Sequence, residues 1–241
     1  MTELLIDIGN TRLKWRTQEQ GQVTAAGAIA TQELCLQLLE AQLPKAVTQM
    51  AWASVAADQH GGVIEQWAKA RNVIGYQAQS QTQWRDLTNG YEQAQQMGVD
   101  RWLAMVAARQ RIKSAVCVVD CGSAITLDYI NASGEHAGGY IIPGQALMAQ
   151  ALLRDTAQIQ YSDQALENTL PGRHTAQAVL SGCSQMTRYG LYGLVLAAQE
   201  QGYSIVFCGG DGAAPAKALG VTYLGDLVLD GLALVAGFIK V

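Results

Sequence analysis

Two short runs hold the residues best suited to chemistry: Asp7-Ile8-Gly9-Asn10-Thr11 and Asp120-Cys121-Gly122-Ser123-Ala124. Each follows an apolar run, Leu4-Leu5-Ile6 in the first case and Ala115 to Val119 in the second. Each precedes a stretch that alternates apolar and polar residues, so the reading is strand, tight turn, returning strand. Glycine at such a turn lets the backbone bend sharply and lets a phosphate approach the amides, which donate to its oxygens without adding bulk. A carboxylate repels phosphate, so Asp7 and Asp120 suit a cation held beside one, and Mg2+ favours oxygen ligands of this kind. Thr11 and Ser123 add short hydroxyls. Lys14, on the returning strand, is a further candidate phosphate contact, on the side of Thr11 only if that strand is bulged. A lone Asp-x-Gly is ordinary turn chemistry. Two copies in the same setting, half the chain apart, point to phosphate handling by a duplicated architecture.

Asp100 is the next candidate. It stands after Gly98 and Val99 and before Arg101, where a helix is expected to open. It can cap that helix or favour its positive end. It can equally act as a general base that takes the proton of an acceptor hydroxyl. Both readings stand on the sequence. Arg101 beside it suits bidentate contact with a carboxylate. Gly209-Gly210-Asp211 follows another apolar strand and reads as a strand-to-helix turn or as a close backbone approach to a nucleoside. His60, His136 and His174 lack the company of metal ligands, and only His174, near a helix start, suits substrate contact. No G-x-x-x-x-G-K-[ST] and no G-x-G-x-x-G occurs, which excludes the P-loop and the usual dinucleotide fingerprint.

The elements that must position these residues follow from periodicity. After the Asp7 hairpin, Val23 to Ala30 reads as a third strand. Thr31 to Gln42 reads as a helix capped by Thr31, and Met50 to Val55 as a strand. Gly62 to Arg71 reads as a helix and Val73 to Gln77 as a strand. Ser80 to Gln96 is a polar, Gln-rich loop of the kind that serves binding. Arg109, Arg111 and Lys113 fall in the last turn of the Asp100 helix, where cations suit the dipole. Beyond the Asp120 hairpin come a strand over Gly138 to Ile142, a helix near Gln145 to Asp155 and a loop from Gln158 to Pro171. A long helix over Thr175 to Gln201, a strand over Ser204 to Phe207 and a buried terminal helix within Leu224 to Val241 complete the chain. The fold class is α/β: two lobes of mixed sheet flanked by helices, residues 1–113 and 114–241, with an active-site cleft between them.

Composition narrows the function classes. The chain has 241 residues, 49% hydrophobic and 15% charged, with a net charge of −4, so nothing attracts nucleic acid and the chain can bury a core. Five cysteines without C-x-x-C spacing argue against a disulfide framework or zinc site and fit a reducing cytosol. Met1-Thr2-Glu3 leads straight into a strand with no signal peptide, and the apolar end carries Asp226 and Asp230 rather than a membrane span. The expected location is cytoplasmic.

Taken together, Asp7 to Trp15, Gly98 to Arg101, Asp120 to Thr126, Gly138 to Gly144 and Cys208 to Asp211 resemble the signature series of type III pantothenate kinases, in order and spacing over nearly the whole chain. The resemblance implies the actin-like, ribonuclease H-like fold shared with acetate and sugar kinases and Hsp70. It implies phosphorylation of pantothenate to 4′-phosphopantothenate by ATP with Mg2+, the first step of coenzyme A synthesis. By that similarity Asp100 is the general base. Asp7, Ile8, Gly9, Asn10, Thr11, Arg12, Leu13, Lys14 and Ser123 hold ATP, and Asp120 binds potassium or ammonium. Tyr91, Gly98, Val99, Asp100, Arg101 and Thr175 line the pantothenate pocket, and the molecule is a homodimer. The chain departs from the family pattern at Ser123, where Thr is usual, at His174, where Asn is usual, and at Gly212, where Ala is usual. Two other readings share the motifs: a kinase of the same superfamily acting on a sugar or small carboxylate, and a non-catalytic actin-like nucleotide switch or accessory regulatory factor. Intact Asp7, Asp100 and Asp120 disfavour the switch.

Overall fold

The structure, a computed structural model, describes residues 1–153 and 170–239. In chain order the elements begin with β1 (Glu3–Ile8), β2 (Arg12–Glu19), β3 (Gln22–Ala30), α1 (Leu36–Gln42), β4 (Gln49–Ser54), α2 (Asp58–Ala70) and β5 (Ile74–Gln77). Then come a short hairpin of β6 (Gln83–Trp84) and β7 (Leu87–Thr88), α3 (Val99–Arg111), β8 (Val116–Cys121), β9 (Ala124–Ile130) and β10 (His136–Pro143). The chain continues with α4 (Gln145–Leu153), α5 (Thr175–Glu200), β11 (Ser204–Cys208), α6 (Ala213–Leu219), β12 (Thr222–Tyr223) and α7 (Leu227–Val235). The chain divides into two compact units. One comprises residues 1–113, 133–136 and 226–241; the other comprises 114–132 and 137–225.

The first unit holds a sheet ordered β3-β2-β1-β4-β5. The central strand β1 is covered on both faces, which is why Leu4, Leu5 and Ile6 form an unbroken apolar run, all fully buried. Leu4, Ile6 and Ile8 pack with Leu13, Trp15, Leu39, Trp52, Ile64 and Trp67. The sheet also packs against α3 and α7. An ion-pair triad, buried at Arg16 and exposed at Arg111, pins α7 there: Arg16 Nη1 lies 2.7 Å from Asp230 Oδ1, and Arg111 Nη2 lies 2.6 Å from Asp230 Oδ2. Arg16 is the buried member, and losing Asp230 would leave its charge uncompensated. The triad therefore fixes α7 against β2 and α3.

The second unit holds a sheet ordered β10-β9-β8-β11-β12. Mapped onto the first sheet, the pattern is the same: a central strand with an antiparallel hairpin partner on one side and parallel strands on the other. Its core joins Cys117, Val119, Leu127 and Phe207 to Leu191 and Val195 of α5. The duplication inferred from paired Asp-x-Gly turns is thus matched strand for strand.

Three expected elements differ. The helix placed over Thr31 to Gln42 is broken into a short 3-10 turn, Thr31–Glu33, and α1. Thr31 does not cap it; its hydroxyl donates to the Gly9 carbonyl instead, at 2.8 Å. The helix expected from Gly62 begins at Asp58 and runs through both glycines, and a side chain at position 61 would press on the Trp52 ring at 2.9 Å. The terminal helix is shorter than its apolar tract, Leu227–Val235, and residues 240–241 lie outside the described residues. The helix end at 154–155 and the loop at 158–169 also lie outside them.

Candidate active site

In the first unit the Asp7 turn is built by a four-residue connection. Ile8 pairs with Leu13, and within the turn the Gly9 amide donates to the Arg12 carbonyl at 3.0 Å. Thr31 braces it twice: its hydroxyl donates to the Gly9 carbonyl, and its amide donates to the Thr11 carbonyl at 3.0 Å. Asn10, Thr11 and Arg12 are exposed. Ile8 and Leu13 are core residues, so any ligand contact they make goes through the backbone. The strand register sets Lys14 directly opposite Asp7, and both are half-buried. Directly paired residues project on the same face, so a cation and a carboxylate stand side by side at this turn without a bulge at Lys14.

Asp100 sits at the same edge of this sheet. β1 and β4 run parallel, and the Val55 amide just past β4 donates to the Ile8 carbonyl at 3.1 Å. A Cβ added to Gly98 would stand 3.8 Å from the Val55 side chain, which brings the start of α3 to the carboxyl end of β1. Ligands of open α/β sheets gather at such carboxyl ends. Gly98 is the N-cap of α3 and Asp100 lies in its first turn, so Asp100 is not the N-cap. Its Oδ1 accepts from the Arg101 amide at 2.8 Å, and a negative charge there is favoured by the helix dipole. A Cβ at position 98 would lie 2.6 Å from that same oxygen, so glycine is what leaves room for the carboxylate.

Arg101 is 5% exposed, and its Nη1 donates to the Tyr91 hydroxyl at 2.8 Å. The guanidinium carbon also lies 5.6 Å from the Tyr91 ring centroid, within cation–π range. The loop carrying Tyr91 is closed by its own side chains. Asn89 Oδ1 accepts from the Tyr91 amide at 2.9 Å, Asn89 Nδ2 donates to the Gln81 carbonyl at 3.1 Å, and the Ser80 hydroxyl donates to the Met97 carbonyl at 2.9 Å. Arg109, buried in the last turn of α3, donates from Nε to Asp86 Oδ2 at 3.1 Å and anchors the β6–β7 hairpin. Burial raises the Asp86 carboxyl, but Arg109 and Lys113 outweigh it and hold the group below its ordinary range. The basic stretch is thus structural.

In the second unit Asp120 holds the place in β8 that Asp7 holds in β1, next to last in the strand. β11 ends beside it, with Cys208 paired to Asp120, and the Asp211 amide donates to the Cys121 carbonyl at 3.1 Å. Three backbone segments crowd this end. The Gly144 amide donates to the Ser123 carbonyl at 2.9 Å, and a Cβ there would lie 2.5 Å from the Gly122 carbonyl oxygen. Gly209 has φ +80°, and a Cβ on it would land on Asp120 Oδ1 and the Cys121 carbonyl oxygen. The Tyr223 hydroxyl donates to the Gly209 carbonyl at 3.0 Å and fixes the turn from outside. Burial, reinforced by Asp120 and Asp211, pushes the Cys121 thiol up to about 12, so it stays neutral and unreactive. Ser123 is exposed at the turn.

The first turn sets a cation, Lys14, beside a carboxylate, the second sets a carboxylate close to the Cys121 carbonyl, and Asp100 stands next to a fixed Arg–Tyr pair. Phosphoryl transfer to a small acid calls for groups of these kinds. The family model for type III pantothenate kinase matches residues 3–197. The chain belongs to the type III pantothenate kinase family. The type III pantothenate kinase of Pseudomonas savastanoi pv. phaseolicola is 36% identical over 246 residues, covering 96% of this chain and 97% of the relative. That of Hahella chejuensis is 33% identical over 247 residues, covering all of both chains. Among solved structures, a conserved putative Baf family transcriptional activator from Campylobacter jejuni superposes with TM-score 0.61 at 24% identity, covering 98% of each chain. An activator of 2-hydroxyisocaproyl-CoA dehydratase from Clostridium difficile with bound ADPNP superposes with TM-score 0.53 at 11% identity, covering 98% of this chain and 94% of the other. These likenesses show the actin-like fold. The chain is accordingly a kinase, and the family implies ATP and Mg2+.

For a type III pantothenate kinase, the candidate residues fall in two groups. Asp7 to Lys14, Tyr91 and Gly98 to Arg101 gather in the first unit, and Asp120, Ser123 and Thr175 belong to the second. Thr175 is exposed in the first turn of α5, whose N-cap is His174: Nδ1 accepts from the Gln177 amide at 3.4 Å, and Gln177 Oε1 accepts from the Arg173 amide at 3.0 Å. His174 therefore has a capping task. Thr31 and Gly144, which brace two of the loops, were not legible from the sequence, because each acts through a backbone atom of a distant segment. Among the described residues no helix is long and apolar enough to cross a membrane.

Proposed function

We propose that this chain transfers the γ-phosphoryl group of ATP to the primary hydroxyl of pantothenate, giving 4′-phosphopantothenate for coenzyme A synthesis, with Asp100 as the general base. The observation that carries the assignment of the base is the placement of Asp100: a carboxylate at a helix start, kept clear by Gly98 and adjacent to the Arg101–Tyr91 pair. In this reading Arg101 grips the pantothenate carboxylate, Tyr91, Gly98 and Val99 stand beside it in the first unit, and Thr175 is a further candidate contact. The hydroxyl gives its proton to Asp100 as its oxygen bonds to the γ-phosphorus. The bond from that phosphorus to the β,γ-bridging oxygen breaks, and ADP leaves. In the first unit Lys14 and the backbone amides of residues 10–12 contact the triphosphate and Asp7 faces its Mg2+; Ser123 is a further candidate ATP contact.

The donor set fits the expected ions. Among the described residues no three His, Cys, Asp or Glu side chains gather as a metal cage. A single carboxylate at Asp7 matches Mg2+, which keeps waters and takes its remaining ligands from substrate phosphates. Bound there, Mg2+ would neutralise charge on the transferring group. Asp120, set among carbonyl oxygens, suits a monovalent cation, potassium or ammonium. Cysteines that form no disulfide and a small-metabolite substrate fit a cytoplasmic enzyme. Coupling ADP release to a reporter, with pantothenate, a hexose or acetate as acceptor, tests the reaction. ADP release is expected with pantothenate alone, and release driven by the hexose or acetate would replace the assigned acceptor.

The enzyme is further proposed to act as a homodimer. Met186, Tyr189, Tyr192 and Leu196 lie on one face of α5, 69%, 66%, 51% and 43% exposed, while Leu191 and Val195 are buried. A contiguous apolar face of this kind marks an interaction surface. Light scattering is expected to read twice the 25.8 kDa of one chain; a reading of one chain mass at micromolar concentration overturns the dimer.

A further inference from the structure

His136, one of the two histidines that the sequence left without a task, lies against the loop that carries Tyr91. His136 is 4% exposed, and its ring stacks on Tyr91 with centroids 6.0 Å apart and planes inclined by 28°, the offset arrangement that aromatic pairs prefer. The turn leading to it is tied to the same loop. The Thr88 amide donates to the Gly134 carbonyl at 2.9 Å, and Thr88 pairs with Glu135 as an isolated parallel bridge. A Cβ on Gly90 would collide with the His136 carbonyl oxygen, so the loop can come this close only with glycine next to Tyr91. Residues 133–136 accordingly group with the first unit, although the strands on either side of the turn belong to the second sheet.

Tyr91 therefore has two aromatic-face or edge constraints. His136 stacks on its ring, and Arg101 reaches its hydroxyl and lies within cation–π distance. The phenolic oxygen accepts from the guanidinium, which leaves the phenolic proton to be donated elsewhere. We infer that His136 is a positioning residue for acceptor recognition: it fixes the Tyr91 ring, and through it the Arg101 guanidinium that receives the substrate carboxylate. This rests on pantothenate being the acceptor.

Two readouts test it, one independent of the acceptor. In His136→Ala the KM for pantothenate is expected to rise about tenfold, the upper range for losing one aromatic pair, with kcat and the KM for ATP within about twofold. His136→Phe keeps a flat ring in place and is expected to restore the KM to within about threefold. A pantothenate KM unmoved by His136→Ala, or one that rises in step with the KM for ATP, overturns the inference, as does failure of the Phe variant to rescue. The second readout is 19F NMR of protein labelled with 3-fluorotyrosine, in which the signal of Tyr91 among the nine tyrosines is found by its loss in Tyr91→Phe. That signal is expected to shift and broaden in His136→Ala and to stay sharp in His136→Phe. An unchanged signal overturns the inference whatever the acceptor proves to be. A shifted signal in a protein that ignores pantothenate upholds the positioning and removes only the substrate assignment.

Discussion

Replacing Asp100 with asparagine is expected to lower kcat by about 100- to 10,000-fold, the usual worth of a positioned general base, with the fold and ATP binding retained. Asparagine has nearly the same shape, so the space that Gly98 leaves beside the side chain still accommodates it. Its Oδ1 can still accept from the Arg101 amide, as the aspartate does at 2.8 Å. What it loses is the capacity to take a proton and the favourable charge at the start of α3. The second loss is worth about 0.3–1 kcal/mol, a fall in Tm of only a few degrees for a chain of this size. A large drop in kcat beside a small drop in Tm therefore separates the base from the stabiliser, the two readings that the sequence left open. Steady-state kinetics with thermal melts of the same samples checks both. Near-normal turnover in the variant would assign Asp100 to helix stability alone.

The Asp-bearing turns were legible because their signals are local. An apolar run, an Asp-x-Gly and a period-two return need only about a dozen residues, and both copies have the strand–turn–strand form they announce. The side of the sheet on which Lys14 projects was not legible. Counted from Thr11 it needs a bulge, but the Gly9–Arg12 connection sets Lys14 opposite Asp7 with a regular register, and loop length is decided by turn geometry that residue types only constrain. Helix starts went astray where tertiary contacts overrule local propensity. Gly62 reads as a helix start, yet α2 begins at Asp58, and Trp52 lies where a side chain at 61 would be, so glycine inside α2 serves packing. Thr31 reads as a cap by type and position, yet its hydroxyl is committed to the carbonyl of Gly9, on a turn far away in sequence. The loops around the site are held by such long-range backbone contacts, and this is why the chemistry-bearing residues were found while most of their supports were not.

The Asp120 end of the second sheet makes the sharpest demand on backbone, and Gly209→Ala is expected to expose it. At φ +80° an alanine is strained by about 1–2 kcal/mol. Its methyl would also land on Asp120 Oδ1 and the Cys121 carbonyl, two atoms with little room to retreat. The carbonyl accepts from the Asp211 amide at 3.1 Å, and the Gly209 carbonyl itself is held by the Tyr223 hydroxyl at 3.0 Å. Relief requires swinging the Asp120 carboxylate or separating β11 from β8, which are paired through Cys208 and Asp120. Adding the cost of overpacking, about 1–3 kcal/mol, the variant should lose about 3 kcal/mol and melt roughly 6–12 °C lower. If Asp120 holds a monovalent cation, the potassium concentration for half-maximal activity must rise as well, because the carboxylate is displaced. Asp120→Asn supplies the comparison: it removes the charge without the clash, so it should weaken the potassium response with a much smaller loss of Tm. A Gly209→Ala variant with lowered Tm but the potassium titration of the parent would confine the glycine to folding. The same unchanged titration in Asp120→Asn would remove the cation from this carboxylate.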